Sequence, residues 1–546
     1  MNQDVSCHVM HYRSAVDDTD QPIVFSIPSI PSGTRTIPCV LLSHDVLEPA
    51  TRDRFIDVAL REAHRWLAAL RESAEPICLL QPMGRANAEA IGLGGRDLFD
   101  AIAAVEEDRQ VTLDPVYGAG IGAGGTKTLQ WACWFPHRFD AIAIAGAVVD
   151  ERIDRCEERE SAPWEASAKE SLRPSSLLGN LAGMPIYVEH PWWFDGVGGT
   201  TSPRQYEELL RLVDGPDFQV TSRREVPILL GGTDWPANPA ELIKWFHSVR
   251  RVEPKRSVLV AYSARSDGRG VRLIESAQPG RPATIKRQEK EDVVSIQTSG
   301  CAEIGVEILS EKPIRLDRRR YPVEAGSIIH DAGRSWIRFQ YRGDRWQKIS
   351  AQEPFHRQAM HGPIMQMRWE GIIFVPGTLG DDLETRTLRR VAEELQRRWT
   401  TGEDVPAIDE TNHAATVRYD IVADAEVRVD MRGRRIIVVI GSPRSNLLLA
   451  RYHGRLGCEW PASTESDHGP IDPFRFRGDT HAHPSSGMVL LGPHPEYLGK
   501  YILTITGSSA EAIAQGTRLR MNVLPDFVIW EGATVCGFGF ERVAGT

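Results

Sequence analysis

The sequence contains no apolar stretch approaching the roughly 20 residues that a membrane span demands. Its first residues, Met1-Asn2-Gln3-Asp4-Val5-Ser6-Cys7, carry neither a basic segment nor a following apolar run, so no secretory signal is visible. Positive charge is not in excess: the formal net charge of -10 argues against a general attraction to nucleic acid or anionic membranes. The run Arg318-Arg319-Arg320 reads as a solvated face, since no basic stripe interleaved with aromatics accompanies it. The eight cysteines have no paired spacing, which predicts reduced thiols rather than a disulfide framework and places the protein in the cytoplasm. Internal repeats are also missing.

What is present is an ordinary globular composition, 41% apolar and 25% charged, in a chain of 546 residues, too long for one hydrophobic core. Apolar runs alternate with helical patterns over residues 37–250, the mark of a mostly parallel sheet covered on both faces. Strands are expected at 40–42, 77–80, 141–149 and 185–188, and a helix at 54–70, where Phe55, Ala59, Ala63, Trp66 and Leu70 fall on one face behind Thr51 or Asp53 as cap. Residues 257–350 change to short β-type runs. From 372 onward the α/β texture returns, with a polar stretch at 461–479 read as a loop. The expected fold class is therefore α/β, in three parts: a mostly parallel α/β domain at 1–252, a small β-rich module at 253–352, and a second, doubly wound α/β domain at 353–546.

The most informative segment is Tyr117-Gly118-Ala119-Gly120-Ile121-Gly122-Ala123-Gly124-Gly125-Thr126-Lys127, followed by a helical pattern and Pro136-His137-Arg138-Phe139. Together with Asp114-Pro115 ahead of the strand, it resembles the nucleophile elbow of α/β-hydrolases of the prolyl-oligopeptidase-like kind, where a strand turns sharply into a helix through Gly-x-Ser-x-Gly. Gly122 stands where that family carries its serine. The same run fits the dinucleotide fingerprint Gly-x-Gly-x-x-Gly, but that motif opens a fold and is followed about 20 residues on by an acidic residue. Here the motif sits in mid-sheet and Asp150 comes 25 residues after Gly125, so no cofactor is expected.

The resemblance extends to the other triad positions and implies losses there too. Val188-Glu189-His190-Pro191-Trp192-Trp193-Phe194-Asp195 occupies the place of the family's His-Gly-x-x-Asp segment, leaving its carboxylate either lost at Phe194 or displaced to Asp195. Leu230-Gly231-Gly232-Thr233-Asp234-Trp235 stands where the catalytic histidine is expected, so the general base falls on Gly232. Leu42-Ser43-His44-Asp45-Val46 replaces the oxyanion His-Gly-Gly, and Asp45 would bring negative charge to that place.

The candidate pocket comprises His44, Asp45, Gly122, Lys127, His190, Trp192, Trp193, Asp195, Asp234 and Trp235. The tryptophans either fill space or stack on a flat or cationic small molecule. Lys127 is either solvated or, if buried, a neutral nucleophile or anion binder, and His44 and His190 are either structural or acid–base groups. Further along, Met360-His361-Gly362-Pro363-Ile364, Gly441-Ser442-Pro443-Arg444-Ser445-Asn446 and Thr480-His481-Ala482-His483-Pro484 resemble segments that follow the hydrolase domain in some large bacterial proteins. The 441–446 turn could cradle an anion or simply cap a helix, and His481 with His483 lacks an evident third ligand, so no metal is expected. The expected function is a hydrolase-fold protein without Ser-His-Asp machinery, binding a small-molecule ligand or a partner protein. The alternatives are serine-independent chemistry in the old pocket, such as proton transfer, dehydration or cyclisation, and residual esterase or peptidase activity.

Overall fold

The computed structural model describes the chain apart from residues 1–3, 30–32, 34, 48–50, 87–91, 154–164, 192–201, 227–237, 251–255, 263–265, 269, 279, 332–333, 351–370, 402–418, 462–463, 467–468, 498–499, 520–523 and 541–546. Two compact units result, one of residues 1–14, 20–160 and 170–354, the other of residues 15–19, 161–169 and 355–546.

The first unit is built on an eight-stranded sheet: β1 Val5–Arg13, β2 Asp20–Pro28, β3 Thr36–Ser43, β4 Cys78–Pro82, β5 Thr112–Ile121, β6 Ala141–Ala145, β7 Pro185–Pro191 and β8 Gln219–Val226. Their order is β1-β2-β4-β3-β5-β6-β7-β8. The first two strands form an antiparallel hairpin edge, β2 pairs antiparallel with β4, and every later pairing is parallel. This is the strand order of an α/β-hydrolase sheet. Sequence dictates the contrast between edge and centre: β1 alternates polar and apolar residues and is half solvated, whereas β4 and β6 are buried along their whole length.

Helix α1, Arg52–Glu72, covers one face of this sheet with Phe55, Ala59, Ala63, Trp66 and Leu70 buried at helical spacing. Thr51 caps it, its hydroxyl accepting the Arg54 N–H at 3.2 Å. Burying Phe55 and Trp66 contributes roughly 1.5–3 kcal/mol each, against about 1 kcal/mol for the cap. Helix α2 spans Leu93–Arg109, and α3 spans Ala123–Trp134, directly after β5.

Residues 256–348 of the same unit form a two-sheet β sandwich. Leu259, Ile285 and Ile296 of the five-stranded sheet pack against Leu273, Ile304, Ile337 and Phe339 of the six-stranded one. Asn180 ties this sandwich to the hydrolase sheet's covering layer: its amide bonds the Val260 carbonyl at 2.9 Å and accepts the Val260 N–H at 2.7 Å.

The second unit contains a seven-stranded sheet whose parallel half comprises Asp420–Ile421, Ile372–Pro376, Ile436–Ile440 and Tyr501–Gly507. Ser486–Pro493, Phe527–Glu531 and Thr534–Gly539 extend it antiparallel. The amphipathic helix Asp382–Thr401 lies on this sheet, with Phe374 edge-on to Trp399 at 5.3 Å. The stretch 461–479, expected as a loop, holds short strands instead: Thr464–Ser466 pairs with Gly469–Ile471, and Phe474–Phe476 pairs with both Cys458–Glu459 and Asp479–His481. Phe474 and Phe476 point into the core and Arg475 away from it, an alternation too short to stand out among polar neighbours.

Candidate functional site

Strand β5 ends in Gly120-Ile121, and Gly122 turns the chain into α3 with φ 56° and ψ -122°. A backbone of this kind is costly for any residue with a side chain and persists only where its surroundings fix it. Here the Gly122 N–H donates to the Ala145 carbonyl of β6 at 2.9 Å, and the Gly122 carbonyl accepts from the Thr126 N–H at 3.0 Å. The Thr126 hydroxyl in turn accepts the Val148 N–H at 2.9 Å, wiring the helix start to the segment after β6.

The neighbouring glycines exist for packing. A Cβ at Gly124 would lie 2.3 Å from the Ser43 carbonyl oxygen and 2.6 Å from that of His44, so α3 can approach the end of β3 only without a side chain there. Because Ser43 pairs with Gly120 in register, the two residues that follow β3 are brought over the elbow.

The first of these, His44, sits between two carbonyls: Nδ1 lies 2.6 Å from the Asp45 oxygen and Nε2 lies 2.8 Å from the Met83 oxygen. A neutral ring can donate to one of these, and only an imidazolium to both. Burial, assisted by the Lys127 charge, nonetheless pushes its pKa down to about 4 against the pull of the two carbonyls.

The second, Asp45, reaches the elbow itself. Its Oδ1 accepts the Ala123 N–H at 2.9 Å, and a Cβ on Gly122 would meet Oδ1 at 2.7 Å and Oδ2 at 2.8 Å. In a serine hydrolase of this fold, the N–H after the nucleophile helps to bind the oxyanion. Here that donor holds a carboxylate of the protein. The other carboxylate oxygen has no hydrogen-bond partner among the described residues.

Lys127 projects from α3 and donates from Nζ to the Ala86 carbonyl at 2.9 Å. Burial lowers its pKa to about 8, and the Asp45 charge opposes that shift. No carboxylate lies within ion-pair distance of it among the described residues. The carbonyls that receive His44 and Lys127 belong to one turn after β4, where Gly84, Arg85 and Ala86 have φ values of 57°, 60° and 56°. That left-handed turn is fastened by Arg85, which bonds Asp97 at 3.2 Å and the Ser14 hydroxyl at 2.7 Å in a fully buried setting, while the Tyr12 hydroxyl also donates to Asp97. Sequence reasoning missed this network, since Gly84 was its only local signal.

The structure thus brings His44, Asp45, Gly122 and Lys127 together. His190 is buried near the end of β7, a strand separated from β5 by β6, and stacks on Tyr206 with ring centroids 5.3 Å apart. With Gly146, Ala147, Glu189 and Gln205 it lines a cavity of about 10 Å³, room for one water. Trp192, Trp193, Asp195, Gly232, Asp234 and Trp235 lie outside the described residues.

In the second unit the 441–446 turn spends its polar groups internally. The Ser442 N–H donates to the Ser445 hydroxyl at 2.9 Å, the Ser442 hydroxyl donates to Asp472 at 2.6 Å, and Asn446 caps the helix Leu447–Tyr452 by accepting the Leu448 N–H at 2.9 Å. Arg444 bridges Asp472 and Glu384, each at 3.0 Å, so carboxylates already occupy the surroundings of the turn. His481 stacks on Phe474 at 4.8 Å, whereas His483 bonds the Ser485 hydroxyl at 2.7 Å. No group of three or more His, Cys, Asp or Glu side chains suited to a metal ion occurs among the described residues. Nor is any described helix long and apolar enough to cross a membrane.

No protein-family model matches this chain. No curated protein matches it in sequence either. Among solved structures it is similar to an S-formylglutathione hydrolase from Staphylococcus aureus, at 14% identity and a TM-score of 0.30 over 45% of this chain and 97% of that one. It is likewise similar to the acylaminoacyl peptidase of Pyrococcus horikoshii, at 12% identity and 0.31 over 45% and 42% of the two chains. A puromycin-hydrolysing peptidase from Mycobacterium tuberculosis gives 14% identity and 0.32 over 44% and 38%. These are distant likenesses to serine hydrolases, and what places the α/β-hydrolase scaffold in this chain is its own strand order and the strained glycine turn between β5 and α3.

Proposed function

We propose that this protein uses an α/β-hydrolase scaffold without serine-type hydrolysis, as a binder of a small-molecule ligand or a partner protein. The observation that carries this reading is the position of Asp45. Its carboxylate occupies both the space of a side chain at Gly122 and the N–H that would stabilise an oxyanion. A substrate carbonyl at that N–H would meet a negative charge, which opposes the tetrahedral intermediate instead of stabilising it. With glycine at the elbow there is also no hydroxyl to attack.

The serine-independent enzyme remains the second reading, supported by the Lys127 amine and the His44 ring beside the carboxylate. In this reading Asp45 and Lys127 handle protons on a bound substrate. A fluorophosphonate probe tests the main proposal: the full chain is expected to stay unlabelled, and stoichiometric modification of any serine overturns it. A thermal-shift screen against metabolites then separates binding from turnover, since a binder is stabilised by a ligand that is recovered unchanged.

A further inference from the structure

We propose that Lys127 is a carbonyl-capture residue, forming a reversible imine with a neutral aldehyde or ketone bound at the elbow. This rests on the reading that the old pocket is kept for a ligand and names that ligand's class. Three observations converge on it. The amine makes a single hydrogen bond, to the Ala86 carbonyl, and has no carboxylate at ion-pair distance among the described residues. That carbonyl belongs to the left-handed turn fastened by the buried Arg85–Asp97 pair, so the hydrogen bond points the amine to one place. Finally, the Asp45 carboxylate is fixed at the same elbow by the Ala123 N–H, and its other oxygen has no hydrogen-bond partner among the described residues.

The step balances from the neutral amine: its lone pair forms the C–N bond as the C=O pair moves onto oxygen, and the carbinolamine oxygen takes one proton from nitrogen and one from water and leaves as water. The iminium carries the charge of the proton taken up, and the Asp45 carboxylate at the elbow faces that charge without taking part in the transfer. A buried amine titrating near 8 is neutral at pH 7 in roughly one molecule in ten, an ordinary lysine in roughly one in a few thousand. Asp45 also chooses the ligand: a carboxylate already bound at Ala123 N–H disfavours a 2-oxo acid and stabilises the cationic iminium.

The test treats the full chain at neutral pH with butanal and sodium cyanoborohydride, and maps the reduced adducts by peptide mass spectrometry. Lys127 is expected to be alkylated about tenfold faster than the exposed Lys244, Lys286 and Lys290, and faster with butanal than with pyruvate. Equal labelling of the exposed lysines overturns the proposal, and faster labelling by pyruvate overturns its choice of a neutral carbonyl. Lys127→Met should remove the fast adduct alone; should that variant fold poorly, the wild-type map decides. Failure here leaves the fluorophosphonate result standing, and serine labelling would sink the reading of Gly122 without touching the lysine map.

Discussion

The Asp45 carboxylate stands where a side chain on Gly122 would begin, with both oxygens within 2.8 Å of the missing Cβ. Placing a serine at 122 is therefore not a simple gain of a hydroxyl. Gly122→Ser must adopt a φ near 56° and push Asp45 off the Ala123 N–H. The backbone strain costs about 1–3 kcal/mol and loss of a charge-assisted hydrogen bond about as much again. Urea unfolding should show a loss of roughly 2–6 kcal/mol, and because Asp45→Gly alone already forfeits the Ala123 hydrogen bond, the double variant should lose less than the two single losses summed. A Gly122→Ser protein as stable as the wild type would show that Asp45 does not hold this place.

Two glycines with opposite surroundings test the packing account of the elbow. Gly124→Ala forces a Cβ against two backbone oxygens that cannot step aside, and should cost more than about 3 kcal/mol. Gly326, in the β sandwich, has nothing within 4 Å of its would-be Cβ, so Gly326→Ala should stay within roughly 0.5 kcal/mol of the wild type. Thermal or denaturant unfolding of the pair reads the difference directly.

Periodicity made the central sheet legible, because Ala141–Ala145 and residues 185–188 of β7 are short apolar runs and α1 repeats its buried residues every three to four positions. The β1–β2 hairpin was less visible, since β1 is half solvated and its alternating pattern includes two histidines and a tyrosine. At the site, the glycine-rich run marked the sharp turn from strand to helix at Gly122, and Asp45 follows β3. That the Asp45 carboxylate accepts the Ala123 N–H was not legible, because it depends on how residues 44 and 45 leave β3. Nor could sequence reasoning join Arg85 to Asp97, Ser14 and Tyr12, contacts that span up to 85 residues of chain.

That buried network makes its own prediction. Arg85 and Asp97 are each about 1% exposed, so Asp97→Ala leaves a buried guanidinium without its carboxylate and should cost about 3–5 kcal/mol. Replacing both, as Arg85→Met with Asp97→Leu, should recover part of this loss, because the two apolar groups need no partner while the Tyr12 and Ser14 hydroxyls each lose a bond. The left-handed turn would relax in either variant, and the butanal reactivity of Lys127 should fall with it. Retained reactivity in a folded Asp97→Ala chain would mean that the turn does not position the amine.

Acid should weaken the second unit through His494. This ring is 3% exposed, and its Nδ1 accepts N–H bonds from Glu496 at 3.1 Å and Tyr497 at 3.3 Å, which requires a bare lone pair there. Burial pushes its pKa down to about 4, while an unfolded histidine titrates near 6.5. As pH falls through 6.5 the unfolded chain takes up a proton that the folded chain refuses until about 4. The stabilisation is therefore complete above pH 6.5 and is lost between 6.5 and 4, by on the order of 3 kcal/mol. Carboxylates titrate over part of the same range, so the readout is a difference between proteins. His494→Asn keeps an acceptor for the two N–H groups but cannot titrate, and its unfolding free energy should fall less steeply than the wild type's over that window. Parallel pH profiles for the two proteins would mean that His494 titrates alike in the folded and unfolded chains.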